Sequence, residues 1–409
     1  MHRILLLLPG NTYRANAFIQ AANKANVELI IGTDTNQVLS QKLPERYITL
    51  NFHELKLSIE KINTLANKKK IHKILAVDDQ GVLLASLASK KLNLTQNSFA
   101  SVNFTRNKFH LYKLIESSDI NSIETFLLNR KESVHKIKKF TFPIVIKPIG
   151  LSASRGVMRV NNKNEFDQKT YQLFNLLSNE LANECFNDFE KDNIIIQKYI
   201  PGKEYAIEGI IENQQFKLLA IFEKPIPLTG PFFEESIYIS DPNIEKNLKN
   251  KIQRISQQYI NLLGLNEGAV HIEIRKNKYG IFLVDIAARS IGGYCSEVLQ
   301  FPNQTTLEEI ILKNSLGKKY DGVMNKDIHG VMMIPTSSEG TLQEILGIER
   351  AKKIKLITHI KIAVHKGKEI KKLPKANTYL GFIFAKGNNK NEVMRALQNA
   401  HKHITVKLK

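Results

Sequence analysis

The chain has 409 residues, 43% hydrophobic and 24% charged, which excludes a mainly disordered or collagen-like polypeptide and leaves room for several domains of about 100–200 residues. Lys and Arg number 59 against 39 Asp and Glu, a formal charge of +20 that favours anionic partners; the basic residues are spread without a block and read as a solvated surface. Cys185 and Cys295 lie far apart with no metal-ligand spacing, so neither a disulfide framework nor a zinc site is indicated, and a reducing cytoplasm fits.

Ile4 to Leu8 is an apolar run that stops at Pro9-Gly10-Asn11. It is shorter than the roughly 7 to 15 residues of a signal core and the roughly 20 of a spanning helix, so neither secretion nor membrane insertion is expected. It reads as a buried strand, followed by a helix with Phe18, Ala22 and Ala25 on one face, a strand at Val27 to Ile31, and another at Ile74 to Val77. Asp78-Asp79-Gln80-Gly81 then leads into an apolar helix through Ser89. Both acids are expected to cap that helix, although ligand crevices of open α/β sheets also lie at such strand ends. Residues 1–95 are therefore expected to form an N-terminal open α/β domain.

From residue 96 the pattern becomes α+β. A helix is expected at Lys108 to Ile115, a polar connection at Asn129 to Lys139, and a polar helix between about Asn164 and Asn183. Strands are expected at Ile144 to Lys147, Gly156 to Val160, Ile194 to Gln197 and Tyr205 to Ile211. A last region, 326–409, has strands at Gly330 to Ile334, Ile360 to Val364 and Gly381 to Ala385, and a closing helix with Val393, Leu397, Ala400 and Ile404 on its apolar face.

Three segments carry chemistry. The strand ending at Lys147 runs into Ser152-Ala153-Ser154-Arg155-Gly156, small and basic residues able to fold over phosphates. It is not a Walker A loop, because the lysine precedes the loop and a strand follows it; a plain hairpin turn gives the same pattern. After Ile194 to Ile196, the break at Pro201-Gly202 leaves backbone groups for an adenine edge, and Glu204 can accept from ribose hydroxyls, as a solvent-facing glutamate would equally appear. The third segment runs from Gly268 to Arg289. A hairpin centred on Tyr279 sets Glu273 opposite Asp285, His271 opposite Ala287 and Arg275 opposite Leu283. Two facing carboxylates repel unless a cation lies between them, and hard oxygens suit Mg²⁺ on nucleotide phosphates; neutralisation by Arg275 and nearby lysines is the alternative.

In this order the segments resemble the ATP-grasp superfamily, specifically its carboxylate–amine ligases and L-amino acid ligases, over nearly the whole chain. The resemblance implies an ATP-grasp fold at 96–325, with a mobile phosphate-loop subdomain at about 140–205, between the N-terminal domain, where Thr12-Tyr13-Arg14-Ala15 lies, and a small C-terminal subdomain containing Leu380 to Ala385. It implies nucleotide contacts from Lys108, Lys147, Ser152, Ser154, Gly156, Gln197, Tyr199, Ile200 and Glu204, and catalytic roles for Lys147, Arg155 and Arg289. Metal ligation falls to Glu273 and Asp285, and substrate binding to Arg289, Gly292, Gly293, Glu235 and His271. Glu223-Lys224-Pro225 and Gly230 to Glu235 are also typical of the branch. Gln197 replaces a frequent acid, Asp285 a longer Glu, and Ala287 a metal-binding Asn of many members, which leaves one Mg²⁺ or two open.

The activity implied is phosphoryl transfer from ATP to a substrate carboxylate, with Mg²⁺ or alternatively Mn²⁺, followed by attack of an amine on the acyl phosphate. The partners implied are a small carboxylate and a small amine, with no membrane and no nucleic acid, since no basic or aromatic stripe is present. A homodimer is the default from the prevalence of two-fold assemblies. Two other readings stay open: a carboxylase of the biotin or purine type, and a nucleotide-binding protein without catalysis. His271 and Cys295 also fit plain packing roles.

Overall fold

The computed structural model describes all residues except 11, 13, 36–44, 133–139, 321–326, 337 and 376–378. Asn11 and Tyr13, most of the polar connection before Phe140, and the 325/326 boundary lie outside the described residues.

The first sheet is parallel, with strand order Tyr47–Thr49, Val27–Thr33, His2–Leu8, Lys73–Ala76. Leu5, Leu6 and Leu7 are fully buried, as befits a central parallel strand covered on both faces. Because His2–Leu8 is flanked by a strand from each side of the order, its end and that of Lys73–Ala76 form a switch point where ligands collect. The helix Ala15–Ala25 buries Phe18, Ala21 and Ala22, and Asn26 ends it in the left-handed conformation (φ 54°).

A second, antiparallel sheet has the order Thr125–Asn129, Asn193–Lys198, Ile144–Pro148, Met158–Val160. The helix Lys163–Ser178 packs Phe166, Leu173 and Leu177 with it, ending before the expected Asn183. The expected strand at Gly156 starts only at Met158: Gly156 has φ +71°, and a Cβ there would lie 2.7 Å from Pro148.

The third sheet has eight strands in the order Gly280–Ala287, Gly268–Asn277, Lys203–Glu212, Gln215–Lys224, Ile237–Ser240, Ile328–Met333, Gly381–Gly387, Ile357–Ile362. It runs unbroken from the central region into the C-terminal one through the pairing of Ile237–Ser240 with Ile328–Met333. The helix Lys246–Leu263 buries Leu248, Ile252, Ser256, Tyr259, Ile260 and Leu263, a helical stripe that covers one face of the central strands. The helix Lys390–Lys402 covers the C-terminal strands, and at Gly330 a Cβ would meet Val393 and Leu397 at 2.7 and 2.8 Å, so the bare backbone permits this approach. Ile404 lies past the end of that helix, and Val364 past the end of Ile357–Ile362, both contrary to expectation. Gly340–Leu346 pairs with Glu369–Ile370 and Thr405–Leu408 in a small outer sheet.

One register corrects the sequence reading. The hairpin turns on two residues, Lys278 and Tyr279, with Asn277 paired to Gly280 and Arg275 to Phe282, not Leu283. A bulge between Ile274 and Glu273 then restores Glu273 opposite Asp285 and His271 opposite Ala287. The hydroxyl of Tyr112, from the helix Lys108–Glu116, lies 2.6 Å from the carbonyl of Val284, the residue that the bulge leaves without a cross-strand partner.

Candidate functional site

The second and third sheets and the switch point of the first enclose one cleft of about 300 Å³. Lys147 enters from the end of Ile144–Pro148 and Lys108 from the start of Lys108–Glu116, both buried. The Lys147 ammonium lies 3.3 Å from the Tyr112 hydroxyl and 4.7 Å from the centre of its ring. Burial, reinforced by the charge of Lys108, lowers the Lys147 pKa to about 7. Lys108 lies 3.3 Å from Asp285 and donates to the carbonyl of Leu151. Two lysines crowded around a cleft, one strained toward neutrality, are a place for a polyanion. In the loop between them and Met158, Ala153 and Ser154 take consecutive left-handed conformations (φ 58° and 57°), and Ser152 and Ser154 line the cleft.

Along the eight-stranded sheet, alternation brings Glu204, His271, Glu273, Arg275 and Asp285 to the cleft face. Lys224 is the hub. Its side chain is 3% exposed, and its ammonium bonds Glu204 at 2.8 Å and Glu235 and Glu273 at 2.9 Å each. Burial opposes its charge, but the three carboxylates outweigh burial and hold its pKa well above the ordinary value. His271 joins the buried carboxylate of Glu208 through Nδ1 and lies 3.3 Å from Glu273 through Nε2. Burial alone would lower its pKa; Glu208 reverses that and raises it to about 9. Glu273 is in turn kept well below the carboxylate range, against its burial, by Lys224 and His271.

These two acids suit Mg²⁺ of a particular kind. No group of three or more His, Cys, Asp or Glu residues forms a metal cage among the described residues. Glu273 is fixed, whereas the Asp285 side chain is 32% exposed with Lys108 as its ion-pair partner, so the pair offers hard oxygens to an ion that takes its remaining ligands from phosphates and water. Ala287 offers no donor.

Arg289, just past the strand Gly280–Ala287, does not point into open space. It pairs with Asp79 at 2.6 Å, across from the switch point of the parallel sheet. The expectation that Asp78 and Asp79 cap the following helix is therefore wrong: Gly81 is the N-cap and no side chain caps it. Asp79 is drawn to Arg289, while Asp78 lines the cleft. Behind Arg289, buried Arg14 bonds Ser290 Oγ at 2.5 Å and the carbonyl of Ile291 at 2.9 Å, and pairs with Glu308 at 2.7 Å, which fixes the loop leading to Gly292 and Gly293.

Of the residues singled out from sequence, Lys108, Lys147, Ser152, Ser154, Gln197, Ile200, Glu204, Glu235, His271, Glu273, Asp285, Arg289, Gly292 and Gly293 line this cleft. Glu204 is buried and doubly paired, to Lys224 and Arg275, rather than facing solvent. Arg155, Gly156 and Tyr199 do not line it. Arg155 pairs with Glu184 at 3.2 Å, the Gly156 N–H donates to the carbonyl of Pro374, and the Tyr199 ring lies beside the guanidinium groups of Arg159 and Arg275. Sequence reading did not single out Tyr112, Glu208 or Asp79's pairing, and it quoted Lys224 only as part of a family segment. The alternation around Lys224, a lysine ending an apolar strand as Lys147 does, was the available signal.

Residues 140–298 match the ATP-grasp domain family and residues 332–409 the L-amino acid ligase C-terminal domain 2 family. A D-alanine–D-alanine ligase from Petrotoga mobilis is 26% identical over 61% of this chain and 76% of its own length. Dapdiamide A synthase from Enterobacter agglomerans is 24% identical over 58% of this chain; the match spans only 54% of that protein. The crystal structure of an L-amino acid ligase from Bacillus licheniformis superposes with a TM-score of 0.86 at 19% identity, covering 100% of this chain and 99% of that one, which shows a shared fold. Together the two family matches, over residues 140–298 and 332–409, make this chain a member of the ATP-grasp superfamily, in its carboxylate–amine ligase branch.

Proposed function

We propose that the protein is an ATP-dependent carboxylate–amine ligase that joins a small carboxylate to a small amine through an acyl phosphate, releasing ADP and phosphate. The observation that carries this reading is the meeting, in one cleft, of the buried pair Lys108 and Lys147, the facing acids Glu273 and Asp285, and Arg289. Lys147 and Lys108 bind and orient the ATP phosphates, with Ser152 and Ser154 closing over them; Gln197, Ile200 and Glu204 frame the nucleoside. Glu273 and Asp285 hold Mg²⁺, which supplies charge neutralisation on the phosphates when bound. Arg289 exchanges Asp79 for the substrate carboxylate and stabilises the charge that develops on it. Glu235, held by Lys224, receives the ammonium group of the amine. The cleft needs no side-chain nucleophile; burial pushes the Cys295 thiol up, out of the range of a reactive thiolate.

The division 1–95, 96–325 and 326–409 is carried as a division of the sequence, with one eight-stranded sheet continuous across its second boundary, and the two free, buried cysteines suit the cytoplasm. No described helix is long and apolar enough to cross a membrane. The test is Mg²⁺-dependent phosphate release from ATP with amino acids supplied singly and in pairs, and with bicarbonate separately. Release stimulated by a pair, with a coupled product of matching mass, is expected; stimulation by bicarbonate alone would transfer the protein to the carboxylases.

A further inference from the structure

Residues 225–236 connect the strands Gln215–Lys224 and Ile237–Ser240 and belong to neither. Pro225, Pro227 and Pro231 carry no amide donor, so this strap is held largely through its carbonyls. Arg275, from the eight-stranded sheet, donates to the carbonyl of Leu228 at 3.0 Å. Arg159, from the four-stranded antiparallel sheet, donates through its side chain to the carbonyl of Thr229 at 2.8 Å, and through its backbone N–H to that of Pro231 at 2.9 Å. Beside it, Met158 forms an isolated bridge with Phe232. At Gly230, with φ +90°, a Cβ would lie 2.8 Å from the Cβ of Arg159, so bare backbone is what lets the two segments approach. The Tyr199 ring takes both guanidinium groups, Arg159 at 4.4 Å and Arg275 at 5.3 Å.

Each end of this contact leads into the cleft. Arg159 pairs with Val145 and Met158 with Ile146, the residue before Lys147, and the loop Ser152 to Gly156 lies between the two paired strands. A shift of that loop therefore carries Arg159 with it. On the other side, Phe233 and Glu235 of the strap line the cleft, and Glu235 is bonded by Lys224. Arg159 itself does not line the cleft.

We propose that Arg159 is a positioning residue that ties the strap to the phosphate-loop sheet, so that a nucleotide bound by that sheet fixes Phe233 and Glu235 in place. The proposal rests on the reading of Lys147 and the Ser152 to Gly156 loop as the phosphate site. Its force comes from a charged donor on a carbonyl and a guanidinium on a ring, contacts that form only when the two segments are together. By linkage, whatever the nucleotide contributes to docking the strap, the docked strap returns to nucleotide affinity.

The experiment follows amide hydrogen exchange by mass spectrometry in peptides covering 226–236 of the full-length protein, with and without saturating Mg²⁺-ADP. Calorimetry measures ADP affinity and circular dichroism checks the fold. In the parent protein, ADP is expected to slow exchange in the strap by about tenfold. In Arg159→Met the slowing is expected to shrink to about twofold or less at saturating ADP, with ADP affinity lowered about fivefold to tenfold; Arg159→Lys should restore part of both. Gly230→Ala breaks the same contact from the strap, leaves the phosphate-loop sheet untouched, and should reproduce the loss. A residue that only supported the fold would alter exchange equally with and without ADP. Shielding by direct contact with ADP would persist in Arg159→Met. Either of those results, or a parent strap that ADP leaves unchanged, overturns the proposal while the phosphate site stands. If ADP does not bind the parent protein, the phosphate-site reading fails and the proposal fails with it.

Discussion

The charged and apolar walls of this cleft are built by different physics. On the charged wall each functional side chain is held by a countercharge: Glu204 by Lys224 and Arg275, Glu273 by Lys224 and His271, Asp285 by Lys108, Arg289 by Asp79. On the apolar wall Cys295, Met333 and Phe382 are held by packing. Buried ion pairs position groups sharply, but loss of one member strands the others without solvation. Packed apolar residues tolerate exchange of shape and volume far better. The charged wall is therefore suited to chemistry common to many substrates, and the apolar wall to choosing among them.

The largest expected effect breaks the hub. Lys224→Met leaves Glu204, Glu235 and Glu273 without their shared cation, and we expect a loss of about 3–5 kcal/mol in stability together with turnover. Urea unfolding followed by fluorescence or circular dichroism measures it; a stability equal to the parent protein's would show that the three acids do not depend on Lys224.

Next comes Asp285→Asn, which keeps size and removes charge from the proposed metal pair. ATP turnover is expected to fall by about 10²–10³, the scale for electrostatic catalytic groups, with the fold intact by circular dichroism. Near-normal turnover would remove Asp285 from the metal site.

A subtler consequence concerns Lys147, whose pKa of about 7 lies below the ordinary lysine value. Below pH 7 it is already cationic. Above pH 7 it is mostly neutral, and a bound polyphosphate raises its pKa again, so ATP binding must draw in a proton there. Calorimetry in buffers of different ionisation enthalpy should show uptake approaching about one proton at pH 8 and fading toward pH 6. Lys147→Arg, with a charge that does not titrate in this range, should abolish the uptake.

The smallest effect is expected at Arg155, which pairs with Glu184 outside the cleft. Partly exposed pairs contribute about 0–1 kcal/mol, so Arg155→Ala should leave stability nearly unchanged. A change in the KM for ATP of less than about threefold would fit that position, whereas a hundredfold loss of kcat would show that the loop carries Arg155 into the site during turnover.

Much of the charged wall was legible in the chain because strand alternation and hairpin pairing are local rules. Glu273 and Asp285 face each other as expected, although the turn is tighter than the sequence suggested and a bulge at Val284 makes up the difference. Gly156 was misread as strand because apolar neighbours look extended in sequence, whereas its positive φ is visible only in the folded loop. Asp79 was misread as a cap for a related reason. Capping is a contact within a few residues, and its actual partner, Arg289, lies 210 positions away.

By itself, the sequence determined the succession of parallel and antiparallel sheets, the lysine at the end of an apolar strand and the facing pair of acids, since each follows from short-range periodicity or turn geometry. Only the tertiary structure decided that Lys224 binds three glutamates at once and that Asp79 occupies Arg289. Those arrangements join residues from distant strands, and their energies depend on burial, which no stretch of sequence carries by itself.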